Sequence, residues 1–253
     1  MTSPSTYDEA RAALGTVLDP ELDEPITDLG FVRSLDVHGD GSVEVHLRLP
    51  TSFCAPNFAY LMASDAKDAL IALSWTGRVL VELDDHHDSD LINAGLAADA
   101  GYRGTFRHEA DDNLDELRET FRRKAHTAAM ERCLSALLRA QPERDVASLA
   151  EVTLADLPPS EHTEALLRRR RTIGLPDQPQ ALVLVDHEGN GCPPDQVPIR
   201  LRRARSTRIS IDGNAHFCRG LLRTRYPESG ADQAPRAEEP TFIPLSTCKE
   251  KAS

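Results

Sequence analysis

The segment LRLPTSFCAPNF, residues 47–58, decides the fold because it joins a strand to a helix. Apolar and polar side chains alternate over residues 43–49, which is typical of a half-buried strand. Apolar side chains then recur at helical spacing over residues 58–70, and Pro56 suits a first helical turn. Cys54 is therefore predicted on a short loop at a helix N-terminus, where free amides and the helix dipole stabilise a thiolate. Such a thiol is typical of a metal ligand or a reactive cysteine, and a small buried cysteine used for packing is the alternative.

Composition narrows the class of protein. The 253 residues are enough for two folding units. No apolar run approaches the roughly 18 residues of a membrane span, and the polar start has no secretory signal, so no membrane is expected as a partner. Five cysteines without a CxxC pair favour a reducing, cytoplasmic location.

Charge is distributed unevenly along the chain. Residues 1–115 hold 7 Lys/Arg against 22 Asp/Glu, whereas residues 116–253 hold 22 against 19. The acidic half argues against a nucleic-acid partner, because phosphate contacts need local cations. The asymmetry either steers association with another protein or is only a solvated surface.

The order of the predicted elements indicates an α+β fold. Residues 1–105 are predicted to form a two-layer α/β unit with the order α-β-β-α-β. Residues 106–175 are predicted to be a helical segment, with Cys133 on the apolar stripe of a long helix. Residues 176–226 are predicted to be a small β-rich segment, and residues 227–253 a disordered tail.

The predicted β-rich segment carries a second set of metal-ligand residue types. These are His187, Cys192, His216 and Cys218. The residue types suit zinc, but the spacings match no familiar zinc finger. Packing residues in two hairpins are the alternative interpretation.

Several motifs in the first unit can be compared with a known family. The segment DPEL (residues 19–22) contains Asp19 and Glu21, and IxDLG (residues 26–30) contains Asp28. A hairpin, a strand ending near Thr51, and the helix after the loop cysteine follow. In this order they resemble the small iron–sulfur cluster assembly domain over about residues 7–85. The remainder resembles a longer actinobacterial branch that accompanies di-iron monooxygenases such as propane monooxygenase.

The resemblance implies a non-enzymatic assembly or carrier protein that holds iron or an iron–sulfur cluster transiently. Its partner would be an apo-protein client, such as a di-iron monooxygenase subunit, and a second copy of the chain is one source of further ligands. Cys54 would face the metal. Four residues would support the loop or supply secondary ligands: Asp19, Glu21, Asp28 and Thr51. Turn formation is the favoured role for the three acidic ones.

Two other function classes remain open. One is a thiol enzyme in which His46 or His86 activates Cys54, although no sequence motif places a base beside the thiol. The other is a metal-free scaffold for assembling an oxygenase complex. Loss of iron loading in Cys54→Ala would favour the carrier, and an inert substitution would favour the scaffold.

Overall fold

The computed structural model describes residues 5–106 and 114–235, and it has the predicted α+β character. The first part, here called the front module, contains the predicted α-β-β-α-β order followed by two short helices. Its elements are α1 (Thr6–Leu14), β1 (Val32–Val37), β2 (Val43–Leu47), α2 (Pro56–Ile71), β3 (Val79–Leu83), α3 (Ser89–Ala97) and α4 (Gly101–Phe106).

The sheet of the front module has β2 at its centre. β1 pairs with β2 antiparallel, and β3 pairs with β2 in parallel, so that Val43 lies opposite Val79. The hairpin between β1 and β2 turns at Gly41, whose φ of +82° suits glycine. Val43, Val45 and Leu47 are buried in one core cluster with apolar residues of α1 and α2, which confirms the predicted strand register.

The second part, here called the rear region, begins at residue 114. It contains α5 (Leu114–Ala140), two 3₁₀ turns (Val146–Glu151 and Leu154–Asp156), α6 (Glu161–Thr172), a third 3₁₀ turn (Pro194–Gln196), α7 (Val197–Arg225) and a final 3₁₀ turn (Pro227–Ala231). Within the described residues, the predicted helical segment is confirmed. Cys133 is 4% exposed in the core of the rear region, as predicted.

The predicted β-rich segment at residues 176–226 is wrong. Residues 197–225 form a single helix of 29 residues, and the only bridge described for residues 181–186 joins Leu182 to Thr153. Ile209 and Ile211 have the two-residue spacing of a strand, but they lie on this helix, where the first is 56% exposed and the second is buried. Arginines occupy so many positions of α7 that its apolar stripe is hard to recognise in the sequence.

Helix α7 contributes to two hydrophobic cores, one in each part of the described chain. Val197, Leu201 and Ala204 pack in the core of the rear region, whereas Ala215 and Leu222 pack in the core of the front module. The rear region therefore docks onto the front module through the second half of this helix.

The predicted disordered tail at residues 227–253 begins too early. Arg48 is only 2% exposed, and it donates hydrogen bonds to Glu228 (3.0 Å) and Asp232 (2.5 Å). A buried guanidinium needs such partners, which holds residues 227–235 against the end of β2. Residues 236–253 lie outside the described chain.

None of the helices that the structure describes is both long enough and apolar enough to span a membrane.

Candidate functional site

The site is built around Cys54, on the loop between β2 and α2. The residue after it, Ala55, is the N-cap of α2, and Pro56 is the first helical residue. The Thr51 hydroxyl accepts a hydrogen bond from the Phe53 amide (3.2 Å), and its oxygen lies 3.5 Å from the Cys54 sulfur. Thr51 therefore shapes the loop and contacts the thiol.

His86 anchors the same loop from the segment after β3. Its Nδ1 accepts a hydrogen bond from the Asp88 amide (3.1 Å), so its Nε2 carries the proton and donates to the Cys54 carbonyl (2.8 Å). The His87 amide also donates to the Ser52 carbonyl (2.9 Å). The backbone of the loop is thus fixed while the thiol remains partly accessible.

The acidic segment after α1 forms the opposite wall. Asp19 is 7% exposed, and one carboxylate oxygen accepts hydrogen bonds from the amides of Glu21 (2.9 Å) and Leu22 (2.8 Å). Burial raises the pKa of Asp19 to about 6, although the two amide hydrogen bonds oppose that shift. The turn-forming role expected of Asp19 is visible in these bonds.

Cys54, Asp19 and Glu21 line one cavity of about 110 Å³. Cys218, from α7, lines the same cavity. Apolar side chains complete the wall, among them Phe31, Leu49 and Met62. Two cysteines and two acidic residues, which come from three distant parts of the sequence, therefore line one small space.

Glu21 and Asp28 also bind the rear region. The Glu21 carboxylate accepts a hydrogen bond from the Asn214 amide group (3.1 Å), and the Asp28 carbonyl accepts one from Arg219 (3.0 Å). The Asp28 carboxylate bonds Thr27 (3.2 Å) and does not line the cavity around Cys54. Of the three predicted acidic residues, only Asp19 and Glu21 reach that cavity.

The predicted second metal site is not assembled. Cys192 packs beside the core of the rear region, and Cys218 packs beside the core of the front module. His187 lies exposed on the loop before α7, whereas His216 lies within α7. Over residues 5–106 and 114–235, no three His, Cys, Asp or Glu side chains are grouped to hold a metal ion.

The two histidines considered as bases for Cys54 have other partners. The His86 ring donates to the Cys54 carbonyl and does not bond the sulfur. The His46 ring contacts Asp84 (2.9 Å) and Glu44 (3.1 Å), and its pKa is raised, chiefly by the Asp84 hydrogen bond. Neither ring is hydrogen-bonded to the sulfur, as a general base for this thiol would be.

A larger cavity of about 440 Å³ also includes Asp19 and lies where the front module meets α5 and α6. Its charged side chains pair across that boundary. Arg118 lies 2.5 Å from Asp65, and Arg169 lies 2.5 Å from Asp23. These pairs make the cavity part of the contact between the two regions.

Sequence reasoning missed the position of Cys218. Ile211, Ala215, Cys218 and Leu222 follow helical spacing and all face inward on α7. That stripe is the signal in the sequence, but it is interrupted by arginines and by Gly213 and Gly220.

Known proteins resemble the front module. A family profile described as "Iron-sulfur cluster assembly protein" matches residues 7–83. Iron-sulfur cluster carrier proteins of Mycobacterium tuberculosis and Mycobacterium bovis are 54% identical over 44 residues, which is 17% of this chain and 12% of each relative. An uncharacterised protein of Methanocaldococcus jannaschii is 32% identical over 91 residues, which is 36% of this chain and 94% of that relative.

These matches cover only part of this chain. This chain spans only 12% of the length of the mycobacterial carriers that it matches. No solved structure matches it. The family profile covers Cys54, Thr51 and the acidic segment, but it ends before His86 and Cys218.

Proposed function

We propose, from the premise that this chain belongs to the iron–sulfur cluster assembly protein family, that it holds iron or an iron–sulfur cluster transiently at the Cys54 loop and passes it to an apo-protein client. The observation that carries this proposal is the loop itself. Within the part of the chain that matches the family, a partly accessible thiol lies beside a cavity at the start of α2, and Thr51 and His86 fix its backbone.

The number of ligands supports transient binding. A [2Fe–2S] cluster takes four thiolate-type ligands, and the loop supplies one. Since no three metal-ligand side chains are grouped in the described residues, at least part of the ligand set would come from a second copy, a small thiol or the client. Incomplete ligation by the carrier lets the client withdraw the cargo by offering better ligands.

We further propose that the chain works as a carrier and not as an enzyme. The hydrogen bonds of His46 and His86 support this, because neither ring is aimed at the Cys54 sulfur. The described cysteines, at positions 54, 133, 192 and 218, are all free, which suits transfer in a reducing cytoplasm.

For the client, we propose a subunit of a multicomponent di-iron monooxygenase. This finer proposal rests on the resemblance of the longer chain to the actinobacterial branch that accompanies such enzymes. Its test is co-expression of the hydroxylase with this chain, followed by measurement of hydroxylase iron content.

A metal-free scaffold is the second candidate, and one observation favours it. The described residues lack a grouped set of three metal-ligand side chains, so a cluster would depend on ligands from elsewhere. In that case the protein would stabilise the client during assembly without binding its metal.

Anaerobic reconstitution with ferrous iron and sulfide separates the two candidates. We expect the wild type to develop visible absorption from thiolate-bound iron, and Cys54→Ser to lose it, because a hydroxyl is a poor ligand for iron–sulfur clusters. Cys192→Ser is the matched control, since Cys192 is also partly buried but packs in the rear region. If the Cys54→Ser protein still loads the hydroxylase with iron fully, the carrier proposal fails and the scaffold remains.

A further inference from the structure

Helix α7 is held in a fixed register against the site. Asn214 bonds the Glu21 carboxylate (3.1 Å), Arg219 bonds the Asp28 carbonyl (3.0 Å), and Arg225 bonds the Leu49 carbonyl (3.3 Å). These contacts tie the second half of α7 to the acidic segment and to the end of β2. The helix can therefore neither slide nor rotate without breaking them.

This register directs Cys218 toward the Cys54 loop. Cys218 lies one turn after Asn214 and one turn before the fully buried Leu222, so it occupies the face of α7 that contacts the front module. Both Cys54 and Cys218 line the cavity of about 110 Å³, together with Asp19 and Glu21.

We propose that Cys54 and Cys218 together bind one thiophilic divalent cation, such as ferrous iron, in the cavity between them. The inference rests on the proposed function and deepens it, because the second thiolate comes from the rear region, outside the part of the chain that matches the family.

The chemistry of the cavity suits such a cation. Soft thiolate ligands favour iron and zinc over magnesium or calcium. Each thiol loses its proton when it binds the metal, so two protons are released and the two thiolates balance the charge of one divalent ion. The carboxyl groups of Asp19 and Glu21 keep the surroundings negative, while remaining coordination positions are left for water, sulfide or groups of a client.

Cobalt(II) titration of the anaerobic full-length apo-protein tests the pair directly. The near-ultraviolet thiolate-to-cobalt band grows with the number of bound thiolates. We expect Cys54→Ser and Cys218→Ser each to leave about half of the wild-type intensity and to weaken binding at least ~10-fold, whereas the double variant gives no band. Cys192→Ser serves as the control and should match the wild type.

Alkylation of the unmodified chain gives a second measurement that needs no substitution. Cobalt(II) should protect both Cys54 and Cys218 from iodoacetamide, and it should leave the labelling of Cys192 unchanged. This measurement decides the matter if circular dichroism shows that Cys218→Ser has lost its helical structure.

The outcomes separate this inference from the proposed function. Full band intensity and affinity in folded Cys218→Ser, with loss in Cys54→Ser, would overturn the paired site and leave the carrier function intact. Unchanged binding in both variants would overturn the paired site and also the thiol-dependent step of the proposed function.

Discussion

The front module is acidic and the rear region is slightly basic, and ion pairs join the two. Three of the ion pairs between described residues join a carboxylate of the front module to an arginine of the rear region: Asp23 with Arg169, Asp65 with Arg118, and Glu24 with Arg219. Arg48 of the front module pairs in the opposite sense, with Glu228 and Asp232. The charge asymmetry in the sequence therefore reflects, at least in these pairs, a contact within one molecule. The acidic segment that shapes the site is also the surface that the rear region recognises.

The largest expected effect is the loss of the buried cation in this contact. Arg219→Met should lower the free energy of unfolding by about 3–5 kcal/mol, because Glu24 would keep a largely buried charge and two carbonyls would lose their donor. Urea denaturation of the full chain measures it. Arg171→Met is the control, since that exposed pair with Asp177 should contribute less than about 1 kcal/mol. Equal effects of the two substitutions would contradict the buried contact.

The two regions should also respond to pH in opposite directions. His126, in the rear region, is 1% exposed, and burial lowers its pKa to about 4. In the unfolded chain His126 gains a proton near pH 6.5. The stability that the neutral histidine contributes above that pH is therefore lost as the pH falls toward 4. Asp19, in the front module, has a pKa raised to about 6, so its contribution is present below pH 4 and is lost as the pH rises through 6.

Single substitutions should separate these opposing slopes. Relative to that of the wild type, the free energy of unfolding of Asp19→Asn should rise by about 3 kcal/mol between pH 4 and pH 7. That of His126→Leu should fall by a similar amount over the same range. Urea denaturation at several pH values gives both differences. A pH-independent difference for either variant would show that the group titrates alike in the folded and unfolded chains.

Two cysteines sharpen the comparison between stability and function. Cys133→Ser should cost about 1–3 kcal/mol, because it places a hydroxyl in the core of the rear region where Cys133 is 4% exposed. It should leave iron loading intact. Cys54→Ser should leave the stability intact and impair iron loading. Thermal unfolding and iron content, measured on both variants, check the crossed pattern, and a parallel loss of both properties in either variant would refute it.

The smallest expected effect on stability is at Phe53. This side chain is 80% exposed at the tip of the loop, and its ring centroid lies 6.0 Å from that of His87. Phe53→Ala should change the free energy of unfolding by less than about 0.5 kcal/mol. If the loop docks on a client, the same substitution should slow the transfer of iron or a cluster to that client by about 10-fold. Stopped-flow transfer kinetics measure this, with the exposed Ile209→Ala as control. Unaltered transfer would place the docking surface elsewhere.

The front module was predictable because local patterns decide it. Strand alternation, the Gly41 turn and the apolar spacing of α2 each act over a few residues, and together they gave the element order and the loop position of Cys54. The turn-forming role of Asp19 follows from the same local chemistry.

The rear region was harder because long-range contacts decide it. Arg170 and Arg219 are buried in it, and backbone carbonyls accept their hydrogen bonds, so arginine positions do not mark its surface. Residues 227–235 are ordered by Arg48, which lies about 180 positions earlier in the chain. Cys218 reaches the cavity only through these tertiary contacts, which no short motif encodes.

The docking of α7 has a consequence for the order of events during synthesis. Glu21 and Asn214, which help to set that docking, are 193 positions apart. On the ribosome the front module would emerge and fold first, with the Cys54 wall of the cavity formed but the α7 wall missing. The cavity closes only after residue 218 has left the exit tunnel, so a nascent chain that stalls earlier presents a single thiol. The completed site would thus distinguish a chain synthesised past α7 from a shorter one.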